Sequence, residues 1–260
     1  MSERIVRDGE VLVRELGALR RLTLNRPKAL NALTLGMVET MTAYLREWAQ
    51  DGAAGAVLID GAGERGLCAG GDIRALYDAA KAKSYVLPEQ FWADEYRLDV
   101  MIARYRKPVI VLMDGMVMGG GVGISAHAAH RVVTERSSVA MPEVGIGYFP
   151  DVGALYVLAR APGYAGTHLA LTGVRIGAAD AIYCGLADVH IPAEKLGELP
   201  SALADCRDAQ DVRVRLGRMS ASPAAGTLAA ARLWIDACYG VDEIEDIIAL
   251  VRADGGEAAR

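Results

Sequence analysis

The sequence predicts an α/β protein with mostly parallel strands, and three observations carry that expectation. Apolar runs of strand length alternate with segments of helical periodicity. Glycine-rich turns follow two of those strands, at 61–71 and 115–123. Past about Pro192 the pattern becomes almost wholly helical and rich in alanine. A chain of 260 residues can bury one large core. Its 52% hydrophobic residues against 23% charged ones exclude a disordered chain.

The first residues, MSERIVRDGE, are charged and hold no apolar h-region, so no secretory signal is expected. Val11–Leu16 and Leu19–Leu24 flank a Gly-Ala turn and read as a hairpin. Asn25-Arg26-Pro27-Lys28 breaks that pattern. A helix is expected over 34–50, with Met37, Met41, Leu45 and Trp48 on one face, Thr34 as N-cap and Gly52 as stop. The run 56–60 is a short apolar strand, and 72–83 is helical. Another helix starts near Pro88 and ends before Pro108, because proline suits a first turn and cannot continue a helix. Val109–Met113 is a buried-type strand. The glycines of 115–123 lead into a helix of small residues expected to run through His130, and 131–134 is a strand. From Asp151 the pattern is mainly helical, with one short strand within 187–191 and a good helix former over 220–232. No internal repeat stands out.

A net charge of −5 gives no general reason to expect nucleic acid. Cys68, Cys184, Cys206 and Cys238 form no CxxC pair, which argues against a zinc site or a disulfide framework. No run of about 18 apolar residues is present, so no membrane span is expected. These features together point to a cytoplasmic protein.

Gly61-Ala62-Gly63-Glu64-Arg65-Gly66 matches the dinucleotide pattern GxGxxG. It is rejected, because that motif opens a helix directly and is followed by a strand ending in an acid. Here a second turn intervenes, Cys68-Ala69-Gly70-Gly71-Asp72. Gly119-Gly120-Gly121 repeats the arrangement after a different strand. Glycines let backbone N–H groups approach a ligand. Two such turns either direct one N–H each at a single oxyanion or simply pack tightly.

The runs NRPKALNALT at 25–34, GERGLCAGGDI at 64–73, KPVIVLMDGMVMGGGVGIS at 107–125 and MPEVGIGYFPDVG at 141–153 together resemble the crotonase (enoyl-CoA hydratase/isomerase) superfamily in order and spacing. FWADEYRLD at 91–99 and LALTGVRI at 169–176 resemble its 3-hydroxyisobutyryl-CoA hydrolase branch. The resemblance implies a crotonase-like spiral of ββα units over 1–192 and a C-terminal helical region over 193–260. That branch continues past the point matching Arg260 with further helices that help cover the site. The resemblance further implies an acyl-CoA substrate and assembly into trimers or their multiples. No cofactor is implied, since coenzyme A is part of the substrate.

Residue by residue, the resemblance places the two oxyanion N–H donors at Gly71 and Gly120. Arg26 and Lys28 match the stretch around the adenine and phosphate end of coenzyme A, and their other reading is a solvated turn. Ala69 and Asp72 of the first glycine turn are implied substrate contacts. Hydratases of the family use two glutamates, of which this sequence keeps only Glu143; the other position is Gly123, which cannot move a proton. The hydrolase branch carries a glutamate and an aspartate eight positions apart, and Glu143 and Asp151 match both. Glu143 would attack the thioester or activate water, and Asp151 would move the accompanying proton or hold the substrate hydroxyl. Glu95 matches another substrate-site glutamate. Each has a plainer reading: Asp151 as an N-cap, Glu143 as an ion-pair partner, Glu95 on a solvated helix face. His127 and His130 are expected three apart on one helix, where packing explains them better than a metal does. The activity the resemblance implies is hydrolysis of 3-hydroxyisobutyryl-CoA or a similar short 3-hydroxyacyl-CoA. The alternatives are an enoyl-CoA isomerase or hydratase working with Glu143 alone, and an acyl-CoA-binding protein without catalysis.

Overall fold

The computed structural model describes residues 4–254. Its large sheet opens with β1 (Arg4–Arg7), β2 (Val11–Leu16) and β3 (Leu19–Leu24), which pair antiparallel. The expected hairpin is present with Leu16 opposite Leu19. A single 3-10 turn, Pro27–Ala29, interrupts the chain where the sequence breaks. Helix α1 (Leu35–Gln50) follows, with the Thr34 side chain accepting from Met37 N at 3.2 Å as its cap. Met37, Met41, Leu45 and Trp48 are buried, as their spacing predicts.

From here the chain repeats a unit. Strand β4 (Ala56–Gly61) of the large sheet is followed by a three-residue strand, β5 (Gly66–Cys68), and then by α2 (Ile73–Lys81) and α3 (Val86–Ala103). Strand β6 (Val109–Met113) is followed by β7 (Met116–Met118) and α4 (Gly120–Ala126). Strand β8 (His130–Val133) is followed by β9 (Ser138–Ala140) and a 3-10 turn, Glu143–Ile146. The three short strands form their own parallel sheet in the order β5-β7-β9. The coils therefore advance as a spiral of two sheets, with helices closing each coil.

The remaining elements are helices α5 (Ala154–Leu158), α6 (Ala165–Thr172) and α7 (Ala178–Tyr183), then β10 (Val189–His190), then a 3-10 turn at Ala193–Glu198. The chain then continues through α8 (Leu199–Leu203), α9 (Ala209–Met219), α10 (Leu228–Tyr239) and α11 (Ile244–Asp254). The large sheet runs β1-β2-β3-β4-β6-β8-β10, parallel from β3 onward. One apolar cluster lies between the two sheets and the helices, including Trp48, Leu67, Val117 and Val139. A second lies on the outer face of the large sheet, where Leu199, Leu203, Val212 and Leu216 cover Leu58, Ile110 and Val132. No helix among the described residues is long and apolar enough to cross a membrane.

Four expectations are corrected. The repeat that did not stand out is the β-β-helix coil itself. Strands β5, β7 and β9 were not anticipated, because three residues are too few to show alternation. The small-residue helix stops at Ala126, since His130 must pair with Ile110 to continue the sheet. His127 and His130 therefore share no helix. The helix within 220–232 starts only at Leu228. Pro223 and Gly226 precede it, and Asp180 of α7 accepts from Thr227 N at 3.0 Å and Leu228 N at 2.9 Å, fixing the start from outside. The GxGxxG run spans the end of β4 and the start of β5, so it opens no helix and the dinucleotide reading stays rejected.

Candidate active site

The ends of β5, β7 and β9 lie side by side, so successive coils deliver successive parts of one site. The carboxyl ends of parallel strands are the usual place for ligands in α/β folds. The first coil ends at Gly70 and Gly71. Leu33 N donates to Gly70 O at 2.8 Å and Asp72 N to Leu33 O at 2.9 Å, a parallel bridge in which the N–H of Gly71 itself points away from Leu33. The second coil ends at Gly119 and Gly120. Gly70 has φ 105 and Gly119 φ 51, backbone that a side chain resists, and each directly precedes one of the two candidate donors, Gly71 and Gly120. A Cβ on Gly120 would lie 3.4 Å from Gly71 N, 3.3 Å from Leu33 Cδ1 and against Glu95 Oε1. The bare Cα of Gly120 thus lets the Glu95 carboxyl pack against the second turn, close to Gly71 N. The third coil ends at Glu143, whose Oε1 lies 2.8 Å from where a Cβ on Gly119 would be.

One further carboxyl, Glu95, reaches the gap from α3, and Asp99 follows one helical turn along, beside Gly123. Phe91, Glu95, Leu98, Asp99 and Ile102 form the buried stripe of α3. Glu95 is 2% exposed and its Oε1 has no hydrogen-bond partner. Burial, then the charges of Asp151 and Glu143, push its carboxyl up to about 8. Glu143 is pushed up to about 7, mainly by burial, with Asp151 adding repulsion against a backbone hydrogen bond that opposes the shift. Asp151 is half-buried and accepts from the Tyr96 hydroxyl at 2.7 Å. Burial and that bond hold the Tyr96 hydroxyl protonated.

The structure therefore brings together Gly71, Gly120, Glu143, Asp151 and Glu95. Glu95 lies on the buried face of α3, so the solvated-face reading fails. Asp151 forms no N-cap bond to α5; Gly153, with φ 74, stands at that position. A cavity of about 420 Å³ beside Asp151 is lined by Tyr96, Asp99, His127, Phe149, Val152 and Leu155, among others. Asp99 was missed by sequence reasoning. Its signal was available, since it falls on the same stripe as Phe91, Leu98 and Ile102.

Arg26 and Asp72 sit at the rim, bound to each other. Arg26 Nη2 donates to Asp72 Oδ2 at 2.9 Å and Nη1 to Ala32 O at 2.6 Å, and Nε lies 3.2 Å from Glu10 Oε1. Asp72 also caps α2, accepting from Ala75 N at 3.3 Å. Both residues thus shape the first glycine turn. Ala69 N donates to Leu30 O at 3.0 Å, tying that turn to the 25–34 loop. Lys28 is exposed on the 3-10 turn, whose Pro27 and Lys28 carbonyls accept from Arg65.

An enoyl-CoA hydratase/isomerase family profile matches residues 19–260. A mitochondrial 3-hydroxyisobutyryl-CoA hydrolase of Xenopus tropicalis is 40% identical over 266 residues, covering 100% of this chain and 69% of its own length. The Danio rerio protein of the same name is 46% identical, covering 76% of this chain and 52% of its own length. The chain thus spans about half to two thirds of such relatives. A solved structure described as a carnitinyl-CoA dehydratase from Mycobacterium thermoresistibile superposes with TM-score 0.91 at 51% identity, covering 97% of this chain and 73% of its own. One described as an enoyl-CoA hydratase from Rhodobacter sphaeroides gives TM-score 0.86 at 39% identity, covering 96% and 72% respectively.

Proposed function

The chain belongs to the enoyl-CoA hydratase/isomerase family, and within it we propose that it hydrolyses 3-hydroxyisobutyryl-CoA or a close short 3-hydroxyacyl-CoA. The observation that carries this reading is the pairing of Glu143 with Asp151 around two N–H-bearing glycine turns, while position 123 holds no acid. The relatives named as 3-hydroxyisobutyryl-CoA hydrolases support it.

In this reading the thioester carbonyl lies between the N–H groups of Gly71 and Gly120. Attack converts it to a tetrahedral oxyanion, which two fixed donors stabilise in a water-poor site. Water is a poor nucleophile, so ionised Glu143 either activates it or attacks in its place. With water as the attacking group, the C–S bond then breaks, the thiolate of coenzyme A takes a proton, and a carboxylic acid and free thiol result; with Glu143 attacking, the same cleavage leaves an acyl–Glu143 anhydride, which water hydrolyses to the acid and the free carboxylate. Asp151, held by Tyr96, is the second carboxyl for that proton or for the acyl hydroxyl. Lys28 is assigned the phosphates of coenzyme A, since Arg26 is engaged within the protein.

A second reading, addition or removal of water at a double bond, is favoured by the dehydratase and hydratase descriptions of the superposed structures. The space at position 123 argues against it. A Cβ there would lie 2.7 Å from Val152 Cβ and 3.0 Å from Asp99 Oδ2, so a family-type glutamate does not fit. Purified protein should release thiol from 3-hydroxyisobutyryl-CoA and should not deplete crotonyl-CoA followed by ultraviolet absorbance. Robust hydration with no thiol release would exchange the two readings. Coenzyme A binding with neither reaction would leave a binding protein.

A further inference from the structure

Asp99 is a buried acid without an assigned task. It is 5% exposed, and neither carboxyl oxygen has a hydrogen-bond partner. Burying a polar group unpaired is unfavourable, so an apolar residue here would be the stabler choice. Its place is specific. One helical turn beyond Glu95, it stands to Gly123 of α4 as Glu95 stands to Gly120. The oxygens of Asp99 lie 3.0 and 3.1 Å from the position of a Cβ on Gly123.

Val152 completes the contact from the third side. Its φ is 45, a strained conformation that a β-branched residue rarely adopts. Its side chain fills the space above Gly123, and its carbonyl lies 3.1 Å from His127 Nε2. Val152 directly follows Asp151, so whatever fixes this turn fixes Asp151.

We propose that Asp99 is a positioning residue of the active site: together with Val152 it occupies the volume left by Gly123, and it thereby holds Glu95 and Asp151 in place for turnover. The inference rests on the hydrolase reading above. Burial first, then the charges of Glu95 on its own helix and Asp151 on the facing turn, push the Asp99 carboxyl well above the carboxylate range. Tyr96 and His127 line the same cavity. Its surroundings therefore favour the protonated form of Asp99, which adds no repulsion to its neighbours. Asparagine, neutral and of the same shape, should replace it; alanine should not.

The test uses the full chain as wild type, Asp99→Asn and Asp99→Ala. Thiol release from 3-hydroxyisobutyryl-CoA is followed against pH, coenzyme A affinity by calorimetry and folding by thermal melting. Asp99→Ala should lower kcat more than about 10-fold with coenzyme A affinity unchanged, the scale expected of sub-ångström misplacement. Asp99→Asn should recover kcat to within about 3-fold and leave the midpoint of the pH–rate curve in place, since no charge is lost. Wild-type kcat in Asp99→Ala, equal damage in both variants, or a midpoint lowered by about one unit in Asp99→Asn would each overturn the proposal. If Asp99→Ala does not fold, Asp99→Ser takes its place. Infrared spectra of the resting protein give a reading independent of turnover. A protonated-carboxyl band lost in Asp99→Asn is expected, and its absence from the wild type overturns the proposal. Wild-type protein that shows the band yet releases no thiol sinks the hydrolase reading instead.

Discussion

Glu143 and Glu95 keep their protons to unusually high pH because the fold removes them from water and sets them near another acid. Chemistry that needs ionised Glu143 should therefore switch on as pH rises through about 7. Stability should move the other way. A carboxyl raised in the folded state binds its proton there after the unfolded chain has released it. Its contribution is full below the ordinary glutamate range and is lost as pH rises toward about 8. The unfolding free energy should thus fall between roughly pH 5 and pH 8, and fall less steeply in Glu95→Gln, by on the order of 1–3 kcal/mol over that window, as urea unfolding against pH would read. An equal slope in both proteins would contradict the burial of an ionisable Glu95. At this scale the sequence was informative where a motif carried the residue, as at Gly71, Gly120, Glu143 and Asp151. It named Arg26 but not its pairing with Glu10 and Asp72, which come from distant segments, and Asp99 was legible only as a member of the apolar stripe of its helix.

The elements that position these groups are the least legible ones. Helix α1 and strands β2, β3 and β6 follow from periodicity and length. Strands β5, β7 and β9, which aim the site, are three residues each and exist only because neighbouring coils pair them. Their trace in the sequence is positional: each follows a long strand after a short gap and precedes the turn that supplies the chemistry. The close fit of α3 against α4 predicts that Gly123→Ala, which forces Val152 Cβ away from 2.7 Å, displaces Asp151 and lowers kcat by about 10-fold or more. Unchanged kcat with a normal melt would show that the turn tolerates the shift. Farther out, Asp180 caps α10 across the fold. Asp180→Ala should cost about 1–2 kcal/mol in urea unfolding and leave kcat unaltered.

At the scale of the whole molecule, one spiral supplies the groups of the candidate site in chain order: the first coil Gly71, the helix behind it Glu95, the second coil Gly120, the third Glu143 and the turn after it Asp151. That ordering explains why four motifs spread over 25–153 read as a unit in the sequence, and why family and fold were legible where the small sheet was not. The family fold alone does not choose the reaction, because the same glycine turns serve an enolate or a tetrahedral oxyanion equally well. The choice lies in the acids around them. The most direct measurement is thiol release from 3-hydroxyisobutyryl-CoA by wild type, Glu143→Gln and Asp151→Asn, each checked for folding by circular dichroism and for coenzyme A binding. The account predicts turnover by the wild type and a loss of about 100-fold or more in kcat in both variants, with binding retained. Folded Asp151→Asn turning over at the wild-type rate, or a wild type that binds coenzyme A and releases no thiol, would contradict it.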